Sequence, residues 1–164
     1  MIPIWLLSLP VNLIKIAADD NQINWEVLAS ICSVESGGNP HVMRYEPNYR
    51  WTYNVNQFAH SLGITVQTEE QLQKHSMGLC QIMGGLARSE LGFKDHLSKL
   101  LDPKVNLDLG AKHLSKLLKK YDEIDAIAAY NAGSPRKSAG GHYENQPYVN
   151  KVVSRLNDLR GLIP

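Results

Sequence analysis

Asn24 to Pro40 reads NWEVLASICSVESGGNP, and the reading of this stretch decides the fold. It predicts a helix from Trp25 to Ser36 with Asn24 at the N-cap. Leu28, Ile31 and Cys32 form its apolar stripe. Gly37-Gly38 stops the helix, and Pro40 follows where a helix has ended. Glu35 falls on the same stripe, seven residues after Leu28, four after Ile31 and three after Cys32. A carboxyl group there is withdrawn from water at the negative end of the helix dipole. Both effects disfavour the charged form and raise the pKa. A carboxylic acid still protonated near neutral pH can protonate a leaving oxygen. Helix geometry alone favours the plainer reading, a glutamate at the end of the stripe turned to solvent.

Further helices flank this one. Val11 to Ala18 reads as a helix with Leu13, Ile14 and Ala17 on one face, and Asp19 to Gln22 is a polar break. Leu107 to Tyr121 is another, with Leu107, Ala111, Leu114 and Leu118 in register. Asp125 to Tyr130 is a short alanine-rich helix closed by Asn131-Ala132-Gly133. Ser134 to Gln146 is a glycine-containing loop. Pro147 suits the first turn of a last helix, lined by Val149, Val152, Val153 and Leu156. Met77 to Met83 is a short apolar run flanked by glycines. Residues 41–75 show no strong periodicity, apart from a possible short helix from Thr68 to Lys74. A tract of that length in a compact domain is functional or has structure of its own. The expectation is a mainly α (α+β) single domain over residues 1–164, with an extended insert at about 41–75 and a small β element in the middle.

Composition narrows the function classes. The 164 residues suit one domain with one substantial core. Seventeen Lys and Arg against sixteen Asp and Glu give a net charge of +1, too balanced for a general nucleic-acid binder or for electrostatic anchoring on an anionic surface. Met1 to Leu9 is apolar but interrupted by Pro3, too short to span a membrane, and without a positive leading region. We read it as a packed N-terminal segment, with no stable membrane insertion. Cys32 and Cys80 make no disulfide framework and no CxxC pair, and are expected to be buried free thiols. The six histidines show no metal-ligand spacing, so no metal and no cofactor are expected. No glycine-rich phosphate loop and no Ser-His-Asp arrangement are evident.

Five ordered segments carry a resemblance. Glu35-Ser36-Gly37-Gly38-Asn39-Pro40 is similar to the ES-x-x-x-P signature of the soluble (SLT) type lytic transglycosylases. Gly78-Leu79-Cys80-Gln81-Ile82-Met83 resembles the GLMQIM segment of that family, with Cys80 in place of Met. Asn106-Leu107 with Gly110 and Leu114 resembles its N-[IL]-x-x-G-x-x-Y-L helix, with His113 in place of Tyr. Ala128 to Gly133 is similar to its AxYNAG segment, and Glu144 with Tyr148-Val149 to its ETxxYV ending, with Asn145 in place of Thr. Together they span most of the chain outside residues 41–75. Two departures stand out. Gly84-Gly85-Leu86 follows Met83 where the family usually has Pro, which bears on one wall of the sugar groove. The tract between Ser36 and Gly78 is longer than in the simplest members, and Arg44-Tyr45-Glu46-Pro47 within it resembles phage-encoded relatives.

The resemblance implies a lysozyme-like fold and a peptidoglycan lytic transglycosylase, cleaving the β-1,4 bond between N-acetylmuramic acid and N-acetylglucosamine with formation of 1,6-anhydro ends. It implies Glu35 as single acid/base and Tyr130 as a tyrosine hydrogen-bonding near it. It places Gln81 and Asn131 facing substrate, Ser36 and Ser76 as small polar residues beside the site, and Met83 and Tyr148 along the groove. An amide suits N-acetyl groups because it donates and accepts. Two other readings stay open. A hydrolase of the lysozyme type would need a second carboxylate, for which Glu46 is the candidate. A glycan-binding or virion-structural module would not cut at all. The expected partner is the glycan strand, met as a monomer on the cell wall, in the periplasm or outside the cell. A phage endolysin or tail-borne lysin would suit a chain with no clear signal peptide and no wall-binding domain; a bacterial wall-remodelling enzyme is the alternative. The tract from Tyr45 to Phe58 has Tyr45, Tyr49, Trp51, Tyr53 and Phe58 within fourteen residues, and is expected to line or cover the groove, with a satellite core under a long surface loop as the alternative.

Overall fold

The computed structural model describes residues 2–162. Helix α1 spans Val11–Asp20 and α2 spans Trp25–Ser36. Strand β1 (Met43–Tyr45) leads to α3 (Val55–Leu62) and α4 (Val66–Gln73). Then come β2 (His75–Met77), β3 (Ile82–Met83) and α5 (Gly84–Ser89). A 3₁₀ turn at Leu97–Leu101 precedes α6 (Pro103–Leu118), α7 (Glu123–Ala132) and α8 (Gln146–Arg160). The expectation of a mainly helical chain with a small sheet holds.

The helix ends follow local chemistry. Asp102 accepts from the Val105 N–H ahead of Pro103, and Asp122 accepts from the Asp125 N–H, the usual N-cap arrangement. Asn24 occupies the expected N-cap of α2, but its side chain makes no capping bond. Gly37 closes α2 with φ +62° and Gly133 closes α7 with φ +79°, left-handed conformations that favour glycine.

Helix α2 is central. It packs on α8, α1 and α6, and Leu28, Ile31 and Cys32 are fully buried as the stripe requires. The core runs on through Leu107, Leu114, Ile127, Val152 and Leu156. The sheet is antiparallel in the order β1-β2-β3, with Arg44 opposite Ser76 and Ser76 opposite Met83. The N-terminal segment is only half packed. Leu9 is buried and Trp5 and Leu6 lean on the core, while Ile2, Ile4 and Leu7 face solvent.

The tract at 41–75 is more ordered than its sequence suggests. Val55, Phe58, Ala59 and Leu62 share helical spacing, but over two turns only, and Ala59 alone is fully buried in α3. The helices of the tract are anchored by polar groups instead. Glu69 and Arg88 form a buried two-pronged ion pair at 2.8 and 3.0 Å. Arg88 also donates to the Phe93 and Asp95 carbonyls and lies over the Phe58 ring. The ion pair fastens α4 to α5.

The cysteines are not free. Cys32 and Cys80 form a disulfide with Cα atoms 4.4 Å apart. Two cysteines separated by 48 positions give no pairing signal in sequence; the packing of α2 on the turn between β2 and β3 creates it. Gly110 of α6 makes the room, since a Cβ there would stand 2.9 Å from Cys80 Cβ and 3.0 Å from its Sγ.

Candidate active site

Glu35 lies on the last turn of α2 and is 8% exposed. Burial pushes its pKa up to about 7, against smaller opposing effects from the Tyr148 hydroxyl and the Arg44 charge. Arg44 does not pair with the carboxylate: its Nη2 donates to the Glu35 backbone carbonyl at 2.8 Å. That bond satisfies an orphan carbonyl at the helix end and places a cation where the dipole favours one. Because the guanidinium is spent on the backbone, the carboxyl keeps its raised pKa.

The Tyr148 hydroxyl stands beside this carboxyl. It is buried, yet no contact it makes has the distance and angle of an ordinary hydrogen bond. It acts there as a nearby dipole and an uncommitted donor. Tyr130 is buried too, but its hydroxyl is committed, donating to the Cys80 carbonyl at 3.0 Å. Its ring rests 4.9 Å from that of His113. Burial, helped by Lys116, holds His113 down at about 4, so the imidazole is neutral beside Tyr130 across the ordinary working range.

The turn between β2 and β3 forms the floor. Gln81 sits at φ +50°, uncommon for a residue with a side chain. Its amide is fully engaged: Oε1 accepts from Ser76 Oγ at 2.9 Å, and Nε2 donates to the Val42 and Gly78 carbonyls at 3.0 and 2.9 Å. Ser76 is buried by that contact. Both residues therefore shape the turn first, and contact with a sugar is left to the second lone pair of Gln81 Oε1. Ser36 Oγ donates back to the Cys32 carbonyl and accepts from the Gly38 N–H, which shapes the exit from α2. Met83 is half-buried at the end of β3. Asn131 is exposed beyond Tyr130, its Oδ1 accepting from Asn145.

Two residues with no expected role help build the site. Asn106, fully buried on α6, accepts from the Cys80 N–H at 2.7 Å and donates to the Met77 and Leu100 carbonyls at 2.7 and 2.8 Å. It ties the turn to the helix core, and a polar residue just before the Leu107 stripe is the signal that marks it. Arg44 is the other; its partner is a backbone atom, which sequence patterns do not reveal. Glu46 is exposed one residue beyond β1, and its N–H bonds the Lys74 carbonyl. Arg44 is the charged group whose field acts on Glu35; no second carboxylate among the described residues does so.

The site is thus a buried, protonatable carboxyl at a helix end, facing a small sheet. The open hollow between α2 and α8, lined by Ser33, Val34, Asn150 and Arg155, does not include it. The family model for the transglycosylase SLT domain matches residues 12–151, a span that holds Glu35, Gln81, Asn106, Tyr130 and Tyr148. The chain belongs to the SLT transglycosylase family. It has the mainly α, lysozyme-like fold of that family and is an enzyme that cleaves the glycan of peptidoglycan, a lytic transglycosylase. No solved structure matches the chain. Among the described residues of this SLT domain no group of three or more His, Cys, Asp or Glu is placed to hold a metal ion. None of its described helices is long and apolar enough to cross a membrane.

Proposed function

We propose that Glu35 is the single acid and base of this transglycosylase, and that it cleaves the β-1,4 bond between N-acetylmuramic acid and N-acetylglucosamine to leave a 1,6-anhydromuramoyl end. One observation carries the reading: Glu35 is buried with a pKa raised to about 7, and its neighbouring arginine is engaged by the backbone. Below that pKa the carboxyl holds the proton that the leaving oxygen needs. As the glycosidic bond breaks, that proton moves to the departing O4. The resulting carboxylate then takes the proton of the muramoyl 6-hydroxyl while O6 bonds to C1. The enzyme returns to its starting protonation and no water is consumed. A carboxylate left in a buried site is a stronger base than an exposed one, which favours this second step. Tyr148 supplies a hydrogen-bond donor with no competing partner in the resting protein. Tyr130 and Asn106 act through the Cys80 turn, as positioning residues. Residues 41–75 form an insert in a single domain over 1–164, and the protein acts as a monomer on the wall.

Mass spectrometry of a peptidoglycan digest tests the reaction. The expected fragments carry 1,6-anhydromuramoyl ends. Fragments heavier by one water, with reducing muramic ends, would make the enzyme a hydrolase and move attention to Glu46.

A further inference from the structure

Trp51 is 69% exposed, a large apolar ring left in water. Its loop has no regular structure, yet its backbone is held at several points. The Glu46 N–H bonds the Lys74 carbonyl at 2.9 Å and the Tyr49 N–H bonds the Glu46 carbonyl at 3.0 Å. Just past the tryptophan, Gln73 takes both backbone groups of Tyr53, accepting from its N–H at 2.7 Å and donating to its carbonyl at 2.9 Å. Gln73 is fully buried and also donates to Glu69, itself fixed by Arg88. Beneath the loop lies Gly85, where a Cβ would stand 2.6 Å from the Tyr49 ring and 2.7 Å from the Trp51 carbonyl. The Trp51 ring meets the Tyr49 ring edge-on at 5.5 Å. A buried ion pair, a buried amide and a close-packed glycine therefore hold in place a loop whose most prominent side chain makes little use of the protein.

We infer that Trp51, backed by Tyr49, is a stacking platform for the peptidoglycan glycan strand, outside the contacts of the catalytic carboxyl. The ligand class follows from shape and continuity. A largely exposed indole backed by a neighbouring ring offers flat apolar surface, which matches the C–H face of a pyranose ring, and ring stacking gains most when the ring is already ordered. The platform is joined to the site at both ends. Gly84-Gly85 directly follows Met83 of β3, and the tract enters from β1, whose Arg44 holds the end of the catalytic helix. The exposed Met43 and Tyr45 side chains on β1, with Tyr45 against His75, extend an apolar surface along that path. A strand of sugars running from Glu35 along β1 would reach this surface. The inference rests on glycan cleavage at Glu35, as proposed above.

The test measures binding without turnover, in the Glu35→Gln protein sedimented with purified insoluble peptidoglycan. Adding Trp51→Ala should weaken binding about 3- to 10-fold, with a melting temperature close to that of Glu35→Gln alone. Trp51→Phe, which keeps a ring, should retain more binding than Trp51→Leu, which keeps only apolar bulk. Unchanged binding in Trp51→Ala, or equal binding by the Phe and Leu variants, overturns the platform. The two readings fail separately. A wild-type digest that still yields 1,6-anhydro ends while Trp51→Ala binds normally refutes the platform alone. Ring-dependent binding with no anhydro product refutes the Glu35 chemistry alone.

Discussion

Glu35 and Glu69 are both buried carboxylates, and they lie in two regions built on different principles. Glu69 is fully buried and meets Arg88 with both oxygens, while Gln73 donates to it as well. Glu35 is nearly as buried, but its arginine turns away to a backbone carbonyl. Burial with a matched partner makes a fastening; burial without one makes an acid. The half of the molecule that carries Glu35 gains its order from apolar stripes on long helices, which leaves a polar group on the stripe without a partner of opposite charge. The 41–75 tract has short helices and little core, and gains its order from polar groups that are consumed in holding it.

The sharpest way to break this comparison is to neutralise each glutamate. Glu35→Gln should lower activity on peptidoglycan at least ~10²–10⁴-fold, the usual cost of losing a general acid, with the circular dichroism of the folded protein retained. A folded Glu35→Gln protein with substantial activity would remove Glu35 from the mechanism. Arg88→Met should act on the other region. It strands the Glu69 charge in a dry site, which typically costs about 3–5 kcal/mol, read as a lower denaturation midpoint. Adding Glu69→Leu should restore much of that loss, because the uncompensated charge is then gone. If Arg88→Met is as stable as the wild type, the ion pair is not what fastens the tract.

A third perturbation acts on the seam between α2 and the Cys80 turn without touching any carboxyl. Replacing both Cys32 and Cys80 by Ala should cost about 2–4 kcal/mol, given the 48-residue separation that the bond closes. Denaturant titration of the variant, or of wild type under reducing conditions, checks it. An unchanged midpoint would show that packing alone holds the seam.

The smallest effect is a pH-dependent one. Glu35 rises from an ordinary 4.5 to about 7. Between those values the native state keeps a proton that the unfolded chain has released. The stability that Glu35 contributes is therefore complete below 4.5 and is lost as pH rises through 7. His113, lowered from 6.5 to about 4, works the other way: the unfolded chain binds the extra proton, so stability grows as pH rises from 4 to 6.5. The two slopes oppose each other in the wild type, and the difference between Glu35→Gln and wild type isolates Glu35. That difference should open in favour of the variant between pH 4.5 and 7, reaching at most about 3 kcal/mol. A gap that stays constant with pH would mean the carboxyl is hydrated in the native state. Wild-type activity should also fall as pH rises through about 7, since the acid is then lost.

How much of this was legible in sequence follows the same divide. Helices α2, α6, α7 and α8 announce themselves through periodic apolar residues and their stop signals, although α6 begins at Pro103, one turn before its apolar stripe. Glu35 was legible because it lies on such a stripe. Helix α3 was not, because two turns with one fully buried residue give a faint period. The ion pair of Glu69 with Arg88 joins elements that only the fold brings together, as does the disulfide. Gln81 illustrates a finer limit. Its place beside the site could be inferred by resemblance, but the commitment of its amide to Ser76, Val42 and Gly78 depends on a backbone turn that residue identity does not specify.

Gly84 and Gly85 carry a consequence for transplanting the tract they support. A Cβ at position 84 would stand 2.3 Å from the Leu72 carbonyl oxygen, and one at 85 would meet Tyr49 and Trp51. The residues 41–75 tract and this glycine pair therefore form one packing unit. A bulkier pair at 84 and 85 and this packing of the tract exclude each other, because Gly84 lies against the Leu72 backbone and Gly85 against Tyr49 and the Trp51 carbonyl. Grafting the tract onto another SLT domain must carry the two glycines with it, and a glycine pair directly after the Gly78–Met83 segment becomes a marker for chains that hold a tract packed in this way.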